Sequence, residues 1–144
     1  MRYILPKSQQ SEISARQDYL YDVFHLYFVL QSIEDGWITL LPFGDDEADI
    51  VFIIGHASQV DKYLVEHIDT FTESVVVVTT CFPLSLIKLA QKKELYVPDI
   101  SDGECMLYEG EPFGFGFPIS DAELNFYNTF GDVYTRIDAG YRRL

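Results

Sequence analysis

Two uninterrupted apolar runs, Ile50-Val51-Phe52-Ile53-Ile54 and Val75-Val76-Val77-Val78, limit what this chain can fold into more than any other feature. Neither run alternates apolar with polar residues, so each needs cover on both faces, as the central strands of an α/β sheet do. Most of their positions are β-branched, which favours the extended backbone over helix. Between and after the runs the pattern changes period. Ser58, with Asp61 three residues on, predicts a capped helix whose Val60, Leu64, Ile68 and Phe71 share a face. Pro83 predicts the start of a second helix, with Lys92 and Lys93 in its last turn, where cations suit the carbonyl end of the dipole. Leu95-Tyr96-Val97 then reads as a strand before Pro98.

The order from residue 49 is thus β-α-β-α-β, which predicts three parallel strands with right-handed crossovers. Upstream, Arg2–Leu5 reads as a first strand and 14–32 as a helix. That helix rests on a Ser14/Gln17 capping box and on Leu20, Val23, Phe24, Tyr27 and Leu30 at helical spacing. Trp37–Leu41 follows as a strand, and its short connection to Ile50 predicts an antiparallel pair. Ser120 with Glu123 predicts a last helix with a stripe of Leu124, Tyr127, Phe130, Tyr134 and Ile137. The expected fold is a single α/β domain over residues 1–144. It is Rossmann-like and three-layered, with helices on both faces of a mixed, mostly parallel sheet of about five strands.

Charge narrows the function. Ten Lys+Arg stand against 23 Asp+Glu, a net charge of −13, yet 48% of residues are hydrophobic, so this is no acidic disordered tail. A surface of that sign repels phosphate, which argues against nucleic acid and anionic membrane as partners. The acids are concentrated: residues 34–73 hold ten of them against the single base Lys62, and residues 95–125 hold seven against none. No apolar run reaches the roughly 18 residues of a membrane span. Met1–Lys7 lacks the apolar stretch of a signal peptide, so the cytoplasm is the expected location. The two cysteines, Cys81 and Cys105, form no CxxC and lie at no zinc spacing, and no cofactor motif is present.

Two residues with nucleophile and base chemistry follow the two central runs. His56 comes after Ile54-Gly55, and Cys81 after Thr79-Thr80. In an open α/β sheet ligands bind beyond the carboxyl ends of the strands, and an imidazole beside a thiol is the usual means of making a thiolate. Over Asp49–His56 and Val75–Cys81 the layout resembles the core of caspase-like and CHAT-type cysteine proteases, where His and Cys follow consecutive core strands. The resemblance implies Cys81 as nucleophile and His56 as general base of a hydrolase. Gly precedes His56 here, where that family has it after the His, and Phe82-Pro83 replaces a Gly-containing turn after Cys81. The bland alternative is a small buried thiol and a loop histidine.

Two further stretches stand out. Gly44–Asp49 packs four carboxylates into its last five positions, but without EF-hand spacing, and reads as a solvated loop rather than a metal site. In Glu109-Gly110-Glu111-Pro112-Phe113-Gly114-Phe115-Gly116-Phe117, three Phe alternate with Gly beside acids. On a strand Phe113, Phe115 and Phe117 would share one face, either folded onto the sheet or presented to a partner. The sequence therefore favours a non-catalytic interaction or regulatory domain. Its expected partner surface is Glu109, Glu111, Phe113, Phe115 and Phe117, its charge favours a basic partner protein, and the tyrosines of the first and last helices offer a face for a homo-oligomer. The Cys81–His56 hydrolase is the alternative.

Overall fold

The structure is a computed structural model that describes residues 2–7, 17–18, 21, 27–33, 36–43, 49–80, 82–98 and 141–144. Its centre is a seven-stranded mixed sheet: β1 (Arg2–Pro6), β2 (Phe28–Ile33), β3 (Trp37–Pro42), β4 (Ile50–Ile54), β5 (Val75–Thr79), β6 (Glu94–Pro98) and β7 (Tyr141–Arg143). Across the sheet the strands run β2-β3-β1-β4-β5-β6-β7. β1, β4, β5 and β6 are parallel neighbours, while β2/β3, β1/β3 and β6/β7 pair antiparallel.

The two apolar runs occupy β4 and β5, and every residue of both strands is buried, as continuous apolar sequence requires. Alternation along the strands divides the core. Ile4, Val51, Ile53, Val76, Val78, Leu95 and Val97 face one cluster, which is closed by Val60, Tyr63 and Leu64 of the Ala57–His67 helix and by Leu86 and Leu89 of a 3₁₀ segment, Pro83–Gln91. The opposite face carries Tyr3, Phe52, Val77 and Tyr96, also buried, with the Tyr3 and Phe52 rings stacked 4.7 Å apart. There the Thr79 and Tyr141 hydroxyls share a hydrogen bond of 2.8 Å between β5 and β7.

The architecture corrects the Rossmann-like, three-layer expectation of about five strands. The sheet has seven strands, and the two helical connections among the described residues both pack on the same face. The physical reason lies in the strand order. β4, β5 and β6 step across the sheet in one direction, so two right-handed crossovers fall on the same side. Part of the expected first helix is strand: Gln17, Asp18 and Tyr21 are helical, but 28–33 forms β2, paired over six residues with β3. β3 does run antiparallel to β4, yet it does not touch it, because β1 lies between them. The helix after β4 begins at His56 rather than at Ser58: the His56 carbonyl accepts from the Gln59 and Val60 amides, each at 3.0 Å, with no side-chain cap. No helix among the described residues is long and apolar enough to cross a membrane.

Asp49 ties the entry ends of the parallel strands together. Its carboxylate accepts from the Ser74 amide at 3.0 Å and from the Ser74 hydroxyl, and its carbonyl accepts from the Val75 amide. At the same end of β1, Arg2 forks onto Glu73 and lies over Phe71, its guanidinium carbon 5.3 Å from the ring centre.

Candidate binding cavity

The β4–β5 register sets Ile54 beside Thr79, and the Gly55 amide donates to the Thr79 carbonyl at 3.4 Å. Gly55-His56 and Thr80 therefore follow the two strands at the same edge of the sheet. His56 is exposed, and among the described residues its imidazole has no hydrogen-bond partner to orient it as a base is normally oriented. Thr80 is buried with its hydroxyl unpartnered. Cys81 lies outside the described residues, as do Glu109, Glu111, Phe113, Phe115 and Phe117, the 44–48 acids and the expected 120–137 helix. Among the described residues no three His, Cys, Asp or Glu side chains converge as metal ligands.

The described residues do form a cavity elsewhere. It has a volume of about 560 Å³ and lies where the ends of β1 and β3 meet the Ala57–His67 helix. Pro6, Gly36 and Trp37 form the sheet side, and Gln59, Lys62, Tyr63, Glu66 and His67 the helix side. Local structure explains the assembly. β1 and β3 pair Pro6 with Trp37, and Gly36, at φ +80°, turns the chain into β3 in a conformation that suits glycine. On the helix, residues 59, 62, 63, 66 and 67 recur at three- and four-residue spacing and so share a face.

An aromatic row backs the cavity. The Trp37 and Tyr63 ring centres are 4.4 Å apart, Tyr63 and His67 are also 4.4 Å apart, and Phe71 lies 6.3 Å from Tyr63. Burial holds the Tyr63 phenol above its ordinary pKa, an effect opposed by the Arg2 cation and reinforced by Glu73. The polar rim carries both signs. Glu66 is 3.9 Å from the His67 Nε2, while Lys62 makes no ion pair among the described residues. Arg2, which lies over Phe71, shows what this row and its acids can hold: a guanidinium over an aromatic ring with a carboxylate at its edge.

Sequence reading singles out neither Tyr63, Glu66 nor His67, and Lys62 enters it only as a base among acids. A signal was available in the 59–67 spacing, since Tyr63 extends the Val60/Leu64 stripe and stands four residues before His67. That Trp37 meets this face is a long-range fact set by sheet order, and no local pattern encodes it. No protein family, characterised protein or solved structure matches the chain.

Proposed function

We propose that this chain is an interaction domain that takes a basic side chain of a partner protein, arginine above all, into the Trp37–Tyr63–His67 cavity. The observation that carries this reading is the pairing of an aromatic wall with Glu66 in a cavity of about 560 Å³. It sits in the segment 34–73, where acids outnumber bases ten to one. A guanidinium is planar and weakly hydrated, so it can lie against a ring while its edge meets a carboxylate, a combination that a lysine ammonium satisfies less well. The Arg2–Phe71–Glu73 arrangement is the same chemistry within the chain. The acidic, Phe-rich segment 109–117 is proposed as a second contact for the same basic partner.

Trp37 is the only tryptophan, so its fluorescence reports on the cavity directly. Titration with a short arginine peptide is expected to give a saturable change in that emission, weaker with the lysine peptide and absent with the glutamine peptide. Glu66→Gln should weaken arginine-peptide binding about three- to tenfold, the size of one partly exposed charge-assisted contact. Lys62→Gln should strengthen it, because Lys62 is the one lysine or arginine that the described residues place on the rim. An emission unchanged by the arginine peptide up to millimolar concentration, or an affinity indifferent to Glu66→Gln, would refute the assignment.

A further inference from the structure

The two edges of the sheet are treated differently. β7 is three residues long and carries Arg142 and Arg143, the short charged design that discourages further strand pairing. β2 is six residues long, Phe28-Val29-Leu30-Gln31-Ser32-Ile33, with no charge and no proline. Its inner side pairs with β3 throughout, and among the described residues nothing pairs with its outer side. The side chains along it are apolar and open: Val29 is 50% exposed, Leu30 38%, Tyr27 65%, and Phe43, whose amide bonds the Tyr27 carbonyl, 75%. The β2/β3 register puts Tyr27, Val29 and Phe43 on one face, and the Tyr21 ring lies tilted against Tyr27, the ring centres 4.7 Å apart.

We infer that β2 pairs antiparallel with β2 of a second copy of this chain, about a two-fold axis at Val29 or Leu30, joining two seven-stranded sheets into one. A row of unpaired backbone groups calls for an extended strand, and an isologous two-fold contact supplies one from the same sequence. Opposed residues in such a pair lie on the same face; the Leu30 axis sets uncharged residues 27–33 only against each other, and the Val29 axis does so for 27–31. The antiparallel sense also sends Glu34-Asp35, the acids that follow β2, to opposite ends of the joint, whereas parallel pairing would stack them. The joint rests first on the backbone ladder along β2; strand side chains stand perpendicular to the sheet, so Tyr27, Val29 and Leu30 add apolar contact only along their sides that face the second copy.

Charge fixes the sign of the salt response. Each copy carries −13, so the partners repel through solvent while their contact is neutral, and the dimer tightens as salt is added. Binding of arginine in the cavity weakens under the same change, so the two proposals fail independently. The test is sedimentation equilibrium on the full chain from 1 µM to 500 µM, in low and in physiological salt. The expected result is a monomer–dimer equilibrium that tightens at least threefold with salt. Leu30→Lys should weaken it at least tenfold, and Ile87→Lys, on an exposed position of the 83–91 segment, should leave it unchanged; circular dichroism establishes that both variants fold. A second edge variant, Val29→Lys, should repeat the Leu30→Lys result if that variant does not fold. A monomer throughout, a dimer indifferent to both β2 lysines, or one lost equally with Ile87→Lys would overturn the inference, and the first of these would leave the edge to a strand of another protein.

Discussion

Gly55 sits where β4 hands over to the Ala57–His67 helix, and it is buried with neighbours on both sides. A Cβ added there would stand 3.1 Å from the Pro6 Cγ and 3.1 Å from a Val60 methyl. Both are side chains of the packed core, with Val60 fully buried and Pro6 in β1, so neither yields freely. Gly55→Ala is therefore expected to cost about 1–3 kcal/mol through overpacking. Urea unfolding checks this, with a lower midpoint at unchanged slope as the expected result; an unchanged midpoint would show that the helix start shifts to make room. In the sequence Gly55 is notable only for standing before His56. Its requirement in the structure is closeness instead, because β1 and the helix converge on it. No local pattern could reveal that, since Pro6 and Gly55 meet only because β1 inserts beside β4.

The strands were legible in proportion to how little their formation depends on context. β4 and β5 are apolar without a break and carry their own two-sided burial; β1, β3 and β6 were readable as short apolar runs bounded by Pro6, by Gly36 and Pro42, and by Pro98. β2 was hidden because Tyr27 and Leu30 also fit a helical stripe, and because six ladder pairs with β3 decide between two backbones that local propensity separates weakly. β7 offers only three residues, two of them arginine, and is strand because β6 presents an edge to it. The 83–91 segment starts at Pro83 as expected but winds as 3₁₀. Ser85 explains part of this, its hydroxyl bonding back to the Phe82 carbonyl at 2.7 Å in competition with regular helix.

The same Ser85 hydroxyl also lies 3.1 Å from the Asp61 carboxylate, so its single proton is shared between that oxygen and the Phe82 carbonyl and links this segment to the helix. Desolvation nevertheless dominates there and raises the Asp61 pKa, with the Ser85 bond opposing it. The folded state thus holds the Asp61 proton more tightly than the unfolded chain does, and stability falls as pH rises from the unfolded Asp value near 4 through the raised folded one. Asp61→Asn keeps a hydrogen-bond acceptor and removes the charge. It is expected to raise Tm at pH 7 and to lose that advantage by about pH 2.5, well below the unfolded value, where Asp61 is neutral in both states. Paired thermal melts at the two pH values decide this; an equal shift at both would assign the effect to packing.

At the scale of the whole molecule, the −13 that weighs against nucleic acid and anionic membrane as partners also acts within the fold. A chain of this length folds to a radius of gyration of about 15 Å. The screening length is about 30 Å at 0.01 M salt and about 8 Å at 0.15 M. In dilute buffer each carboxylate therefore feels nearly every other, while at physiological salt it feels only its neighbours. Among the described residues, Arg2–Glu73 is part-buried and shielded from salt, and Lys92–Asp69 at 2.8 Å is exposed and contributes little against that repulsion. Self-repulsion thus outweighs the pairs that salt would weaken, and adding NaCl should stabilise the fold. From 0.01 to 0.15 M, a gain of about 1 kcal/mol would raise Tm by roughly 2–4 °C for a chain of this size. Most of the rise should be complete by 0.3 M, since screening saturates, whereas exclusion of salt from the surface would continue to grow with concentration. Melts at a protein concentration low enough to keep the chain monomeric isolate this effect from the dimer's own salt response. A Tm that falls over this range would mean that the charges are arranged in stabilising pairs, and would remove the premise that two copies repel everywhere except at β2.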